Sequence, residues 1–190
     1  MSRSNKARSE AMRQTLIDAA RSLFVEKGYA ETATPDIVDK AGVTRGALYH
    51  HFADKKALFR AVVEREAADV AAAIEDTSLP ENSPRAAVLA GTRRYFDAMA
   101  VQGRTRLMLL DGPSILGPEA MRALDEQTAE SSLRAGLQEL LKGTPNSRKS
   151  DEIAMLLSAA FDRAALAIAS GADRRAWEDA IIALVEGLTA

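Results

Sequence analysis

Apolar residues recur at every third or fourth position along nearly the whole chain, and no segment sustains the alternation of a half-buried strand. Stripes with that period can be buried only helix against helix, so the expected fold is all-α. Hydrophobic residues fill 47% of the 190 positions, which is enough for a sizeable core and argues against disorder.

Glycine, proline and capping residues cut the period into elements. Residues 9–27 read as a first helix with Leu16, Ala20, Leu23 and Phe24 on one face and Gly28 as its stop. Thr34 is expected to cap a short helix with Pro35 at its first position, and Gly42 to end it. Thr44 then caps a helix to about Phe52, and Asp54 caps a longer one to about Ile74. The polar stretch EDTSLPENSP, residues 75–84, reads as a connection. Ser83 and Pro84 open the next helix, ending near Gly103, and a shorter helix covers about 104–111. DGPSILGP, residues 111–118, is expected to interrupt helix. Residues 119–141 read as one helix and KGTPNSRK as a loop. Ser150 is expected to cap a helix to about Ser170, with a last helix over about 174–188. The resulting expectation is an N-terminal helix-turn-helix unit over 1–53 with a basic arm at 1–8, a connecting helix at 54–74, and a helical effector-binding and dimerisation domain at 84–190.

Charge is divided along the chain although the net value is only −2. Residues 1–60 carry 11 basic and 7 acidic side chains, and the rest carry 14 and 20. A basic end on an acidic body suits nucleic-acid contact by that end, although so small an asymmetry also fits chance unevenness. There is no cysteine, which excludes disulfides and thiolate chemistry. No secretory signal or apolar span is evident, so the expected location is cytoplasmic.

TPDIVDKAGVTRGALYHHF, residues 34–52, is a helix, a tight turn at glycine, and a second helix. Ile37, Ala41, Val43, Leu48 and Phe52 are placed to pack the two together. Stepping 100° per residue from an inward Leu48 turns Gly46 and His50 outward, with Ala47 and Tyr49 on the flanks. That face is small, polar and able to donate hydrogen bonds, as a helix entering a major groove must be. Gly46 costs about 1 kcal/mol of helix stability relative to alanine, so packing alone does not account for it. The paired histidines do not read as a metal site: neighbours on a helix point about 100° apart, and a third histidine and cysteine are lacking.

The stretch FVEKGYAETATPDIVDKAGVTRGALYHHFADKKALFRAVV, residues 24–63, resembles the N-terminal DNA-binding unit of the tetracycline-repressor (TetR) family of bacterial regulators. The matching positions include Phe24, Gly28-Tyr29, Thr34, Ile37, Ala41-Gly42-Val43, Gly46, Leu48-Tyr49, Phe52, Lys55 and Leu58-Phe59. Val38 and Ala33 depart from it, standing where many members have Ala and Thr. The resemblance implies a homodimer on a palindromic double-stranded DNA operator, most simply a repressor released by a small-molecule effector. Thr34, Thr44 and Lys55 are then expected at phosphates, Arg45 and Ala47 at base edges, Tyr49 and His50 at phosphate or a thymine methyl, and Gly46 at the closest approach. His51 lies nearer the inward side, where it packs or caps. The basic arm, with Arg3, Lys6, Arg8 and Arg13, reads equally as a reach into an adjacent groove or as a solvated tail.

An effector pocket is expected among Tyr95, Met99, Met108, Leu110, Leu116, Met121, Phe161 and Trp177, each of which also reads as plain core. Arg93, Arg94 and Asp111 are candidates for its polarity, and the 111–118 break for its entrance. The helix at 154–169 is apolar almost all round, broken only by Asp162 and Arg163, which suggests burial against a second copy. Leu156, Ala160, Ala164, Ile168, Ile181, Leu184, Val185 and Leu188 are the expected interface. No catalytic centre, metal site or cofactor motif is apparent. The rival readings are an all-α ligand-binding or scaffold protein without DNA binding, and a small helical enzyme.

Overall fold

A computed structural model describes residues 2–76 and 82–189, and helices build the fold among them. In order they are α1 (Ser2–Glu31), α2 (Thr34–Ala41), α3 (Arg45–His51), α4 (Lys55–Ile74), α5 (Pro84–Met99), α6 (Arg104–Arg106), α7 (Gly112–Leu116), α8 (Pro118–Glu126), α9 (Ala129–Leu140), α10 (Ser150–Ala169) and α11 (Arg174–Gly187). The connection expected at 75–84 lies partly outside the described residues. No described helix is long and apolar enough to cross a membrane.

Two cores share one long helix. Leu16, Phe24, Ile37, Leu48, Phe52 and Phe59 belong to the first, which gathers α1, α2, α3 and the N-terminal half of α4. Phe59 meets the Phe24 and Tyr29 rings edge-on, with centroids 5.2 and 5.1 Å away. Val70, Tyr95, Phe96, Leu137, Phe161 and Ile181 belong to the second, which begins on the C-terminal half of α4. Each fully buried side chain of this size contributes about 1.5–3 kcal/mol, so α4 is anchored at both ends.

Side-chain caps fix the starts of α3, α4, α5 and α11. Thr44, Asp54 and Ser83 each accept the backbone N–H three residues on, from Ala47, Ala57 and Ala86. Thr34 and Ser150, expected to do the same, are instead the first helical residues, after Ala33 and Lys149. At Ser150 the preceding 3₁₀ turn, Ser147–Lys149, runs straight into the helix and leaves no extended residue for a cap. The basic arm at 1–8 is likewise part of α1 from Ser2 onward. Gly28 breaks α1 as expected, with φ 83 and ψ 165.

The 111–118 segment interrupts helix at Gly117-Pro118 as expected, but not at Gly112-Pro113. A π-helical turn, Leu107–Asp111, joins α6 to α7, and the Gly112 N–H reaches back five residues to the Leu107 carbonyl. The widened turn gives Pro113 room beside the preceding carbonyls, so the chain stays helical to Leu116 and breaks at Gly117. The helix expected at 119–141 is divided at Gln127-Thr128 into α8 and α9.

Candidate nucleic-acid interface and effector cavity

The turn between α2 and α3 is closed by backbone alone. Gly42 sits in the left-handed region at φ 65, its N–H bonds the Asp39 carbonyl at 3.1 Å, and Val43 N–H bonds that of Val38 at 3.1 Å. This paired closure requires a residue that tolerates positive φ, which glycine does without cost. Leu48 and Phe52 then fix α3 by its buried side, with 0% and 5% exposure. Thr44, Arg45, Gly46, Tyr49 and His50 are exposed, and Ala47 is half-buried. A Cβ at Gly46 would meet only Thr44 Oγ1, at 3.9 Å. Nothing inside the chain therefore requires glycine there. The Arg45 guanidinium lies 5.5 Å from the Tyr49 ring centroid, within cation–π range, which orders a long cation on this face. His51 is half-buried and packs its ring against His50 and Phe52.

Lys55 departs from its expected position at a phosphate. Its ammonium points inward, 2.9 Å from the carbonyls of both Tyr29 and Thr32, with Ala30 O at 3.5 Å and the Tyr29 ring 4.3 Å below. All three donors have acceptors at or just past the carboxyl end of α1, where a cation is also favoured by the helix dipole. Lys55 thus ties α4 to α1. Thr34 is half-buried at the start of α2.

A second tie lies at the centre of α4. Glu66, 1% exposed, accepts from Arg21 Nε of α1 at 2.7 Å and from Arg104 Nε of α6 at 2.8 Å. Arg104 also donates to the Ala98 carbonyl at 2.8 Å, and Arg21 to that of Gln102 at 3.2 Å. Burial opposes the Glu66 charge, but the two guanidiniums outweigh it and hold the carboxyl below its ordinary range. Beside this cluster, a Cβ at Gly103 would fall 2.5 Å from Val25, and one at Gly28 would fall 2.9 Å from Arg106. The turn into α6 therefore rests directly on α1.

Two cavities adjoin in the C-terminal part. The larger, about 470 Å³, lies among α4, α5, α8, α9 and α10, with Ile74, Val88, Leu133 and Phe161 among its apolar walls. The other, about 370 Å³, includes Val70, Met99, Met108 and Met121. Tyr95, Asp125, Ser158 and Asp162 border both. Tyr95 donates its hydroxyl to Asp162 at 3.0 Å, and Ser158 donates to Asp125 at 2.7 Å. Burial and the neighbouring Asp125 push Asp162 up to about 6. Burial likewise raises Asp125. Of the expected pocket residues, Tyr95, Met99, Met108, Met121 and Phe161 line these cavities. Leu110 is instead 54% exposed, Leu116 packs against the first core and Trp177 against the second. Arg94 lines the larger cavity, Arg93 is exposed, and Asp111 pairs with Arg106.

Residues 16–62 match the family described as bacterial regulatory proteins, tetR family, and residues 85–190 match the tetracyclin repressor-like C-terminal domain. The chain belongs to the TetR family. Among its relatives, the HTH-type transcriptional repressor AcnR of Corynebacterium diphtheriae is 32% identical over 120 residues, 62% of each chain. The Transposon Tn10 TetC protein of Escherichia coli is 49% identical over 53 residues, 28% of this chain and 27% of that protein. The chain thus matches less than two thirds of the length of these relatives. A crystal structure of a TetR-family transcriptional regulator from Pectobacterium atrosepticum superposes with a TM-score of 0.72 at 30% identity, covering 96% of this chain and 94% of that one.

The two TetR-family matches leave residues 63–84 between them, a span that holds Glu66 and the rest of α4. The junction residues Arg21, Glu66 and Arg104 were not among the candidates from sequence, nor was the Asp125–Ser158 pair. Asp162 did carry a signal, as a carboxylate in an otherwise apolar helix. The expected dimer face is partly corrected. Ala164, Ile181 and Val185 are buried in the chain's own core at 0–3% exposure. Ala160, Ile168 and Leu188 are half-buried against that core. Leu156 and Leu184 are 72% and 54% exposed, and Met155 is exposed beside them.

Proposed function

We propose that this chain is a dimeric DNA-binding transcriptional repressor released from its operator by a small molecule. The observation that carries the reading is the outer face of α3. It is bare at Gly46 without internal cause, flanked by Thr44, Arg45, Tyr49 and His50, and fixed from behind by Leu48 and Phe52. Arg45 is the candidate for guanine O6 and N7, and the Thr44 hydroxyl, already oriented as a cap, for a phosphate. Repression is the sense favoured by the AcnR relative.

The dimer face is the exposed apolar strip of α10 and α11. Met155, Leu156 and Ala159 on one helix and Ala180, Ala183, Leu184 and Gly187 on the other lie at helical spacing, and small residues allow close approach. Pairing through it presents two reading helices, which a palindromic operator needs about 34 Å apart. The effector reading rests on the cavities. Ile74 and Glu75 line the larger and Ala67 and Val70 the other, so an occupant touches α4 directly. Control follows when the effector binds one orientation of α4 more tightly than the other.

The test is binding to the DNA upstream of the chain's own gene, titrated with salt. Phosphate contact gives a steep loss of affinity with salt, whereas no binding at low salt refutes the reading. Arg45→Ala is expected to relax sequence preference, and equal losses on specific and nonspecific DNA would remove its assignment. Leu156→Glu with Leu184→Glu is expected to leave a folded monomer by sedimentation that binds operator weakly.

A further inference from the structure

The protein neutralises the carboxylates it buries most deeply. Glu66 has two guanidiniums, and Glu130 pairs with Arg134. Asp125 and Asp162, half-buried, are treated differently. Asp162 accepts from the Tyr95 hydroxyl, and Asp125 from the Ser158 hydroxyl and the Glu130 backbone N–H, although a carboxylate has about four acceptor positions. Among the described residues neither has a lysine or arginine partner. They border the same cavity, whose other charged lining residues are Glu75, Glu130 and Arg94. An ionised carboxylate in apolar surroundings is unfavourable without a counter-charge, and two that repel each other are more so. The walls supply the other half of the recognition. Ile74, Val88, Leu133 and Phe161 are apolar, and Gly91 on α5 adds no side chain to the space between them. A volume of about 470 Å³ lies in the range of sites for drug-sized ligands.

We propose that this cavity takes an amphipathic organic cation, its positive charge seated between Asp125 and Asp162 and its apolar body against Ile74, Val88, Leu133 and Phe161. The inference deepens the effector reading above and rests on it for its consequence at DNA, though not for binding itself. An anion of the same shape meets two carboxylates and is rejected, and a neutral isostere leaves them uncompensated.

Tetraphenylphosphonium and tetraphenylborate have nearly the same shape and opposite charge, so they isolate the electrostatic part. Calorimetric titration of the full-length protein is expected to give phosphonium binding at least about tenfold tighter than borate binding. Asp125→Asn and Asp162→Asn, which remove charge and keep shape, are each expected to weaken the phosphonium by about tenfold or more. Gly91→Leu, whose Cβ meets Ile74 at an ordinary 3.6 Å, fills the cavity and is expected to abolish binding. If that variant does not fold, the asparagine pair decides. Equal binding of the two ions, or phosphonium binding unchanged in both asparagine variants, overturns the proposal. Phosphonium binding by a protein that binds no operator refutes the regulator reading and leaves the cation site standing. Operator binding with no phosphonium binding does the reverse.

Discussion

Glu66→Gln should damage the seam between the two cores more than any surface change. Gln has the shape of Glu but no charge, so Arg104, 7% exposed, loses its main counter-ion while keeping the Ala98 carbonyl at 2.8 Å and the half-exposed Asp69 at 3.4 Å. Breaking one side of a buried ion pair costs about 3–5 kcal/mol. The residual partners of Arg104, and the partly exposed position of Arg21, put the expected loss at the lower end, about 3 kcal/mol. For a chain of this size that corresponds to a fall in Tm of about 6–12 °C. Urea unfolding at pH 7 measures it, and a cycle with Arg104→Met separates the pair from its surroundings. The pH dependence supplies a second check. The folded carboxyl is held below its ordinary 4.5, so the contribution is present above that value and lost as pH falls through the folded pKa. The gap between wild type and variant should therefore shrink in acid. A loss under 1 kcal/mol at pH 7, or additive effects in the cycle, would refute the account of this junction.

Gly46→Ala is expected to raise stability by up to about 1 kcal/mol, since the methyl meets nothing inside the chain, while operator affinity falls in a gel-shift titration. Lys55→Met, which strips three carbonyls of their donor, is expected to destabilise by about 1–3 kcal/mol in urea unfolding. Asp162→Asn should stabilise at pH 7–8. The folded pKa is raised from 3.8 to about 6, so the stabilising contribution is complete below 3.8 and is lost as pH rises through 6. The shift corresponds to about 3 kcal/mol, and the advantage of the variant should vanish as pH falls toward 4. Tyr95 and Arg94 from α5, Asp125 from α8, Glu130 from α9 and Glu75 just past α4 line the same cavity, and a profile following none of this sign would point to their titration instead.

Local chemistry was readable in the sequence wherever one residue decides. Thr44, Asp54 and Ser83 cap as their side chains dictate, and Gly28 and Gly42 turn the chain where a Cβ is costly. The face of α3 follows from its period and from the anomaly of Gly46. What was not readable depends on distant residues meeting. Arg21 and Glu66 are 45 positions apart, and Glu66 and Arg104 are 38 apart, so each looks like an ordinary surface charge in its own helix. Lys55 looked like a phosphate ligand for the same reason, since its acceptors lie 23–26 residues upstream. The cavities arise from helix spacing, which explains why Leu110 and Leu116, apolar and close to lining residues in sequence, and Trp177 on α11, which borders neither cavity, are not among the lining residues. Pro113 misled because the π turn before it has no sequence rule as simple as that for proline itself.

Gly103 has a consequence for how specificity can drift in such a protein. With φ 80 and the Val25 side chain 2.5 Å from where a Cβ would stand, it is a point of direct contact between α1 and the body. A side chain there would act as a shim, wedging one end of the DNA-reading block outward without altering α3 or the cavity. In a two-fold pair each wedge is applied twice, in directions related by a half-turn. The reading surface would stay intact while the distance between its two copies changed, so substitutions at this remote glycine should select operators by half-site spacing and not by half-site sequence.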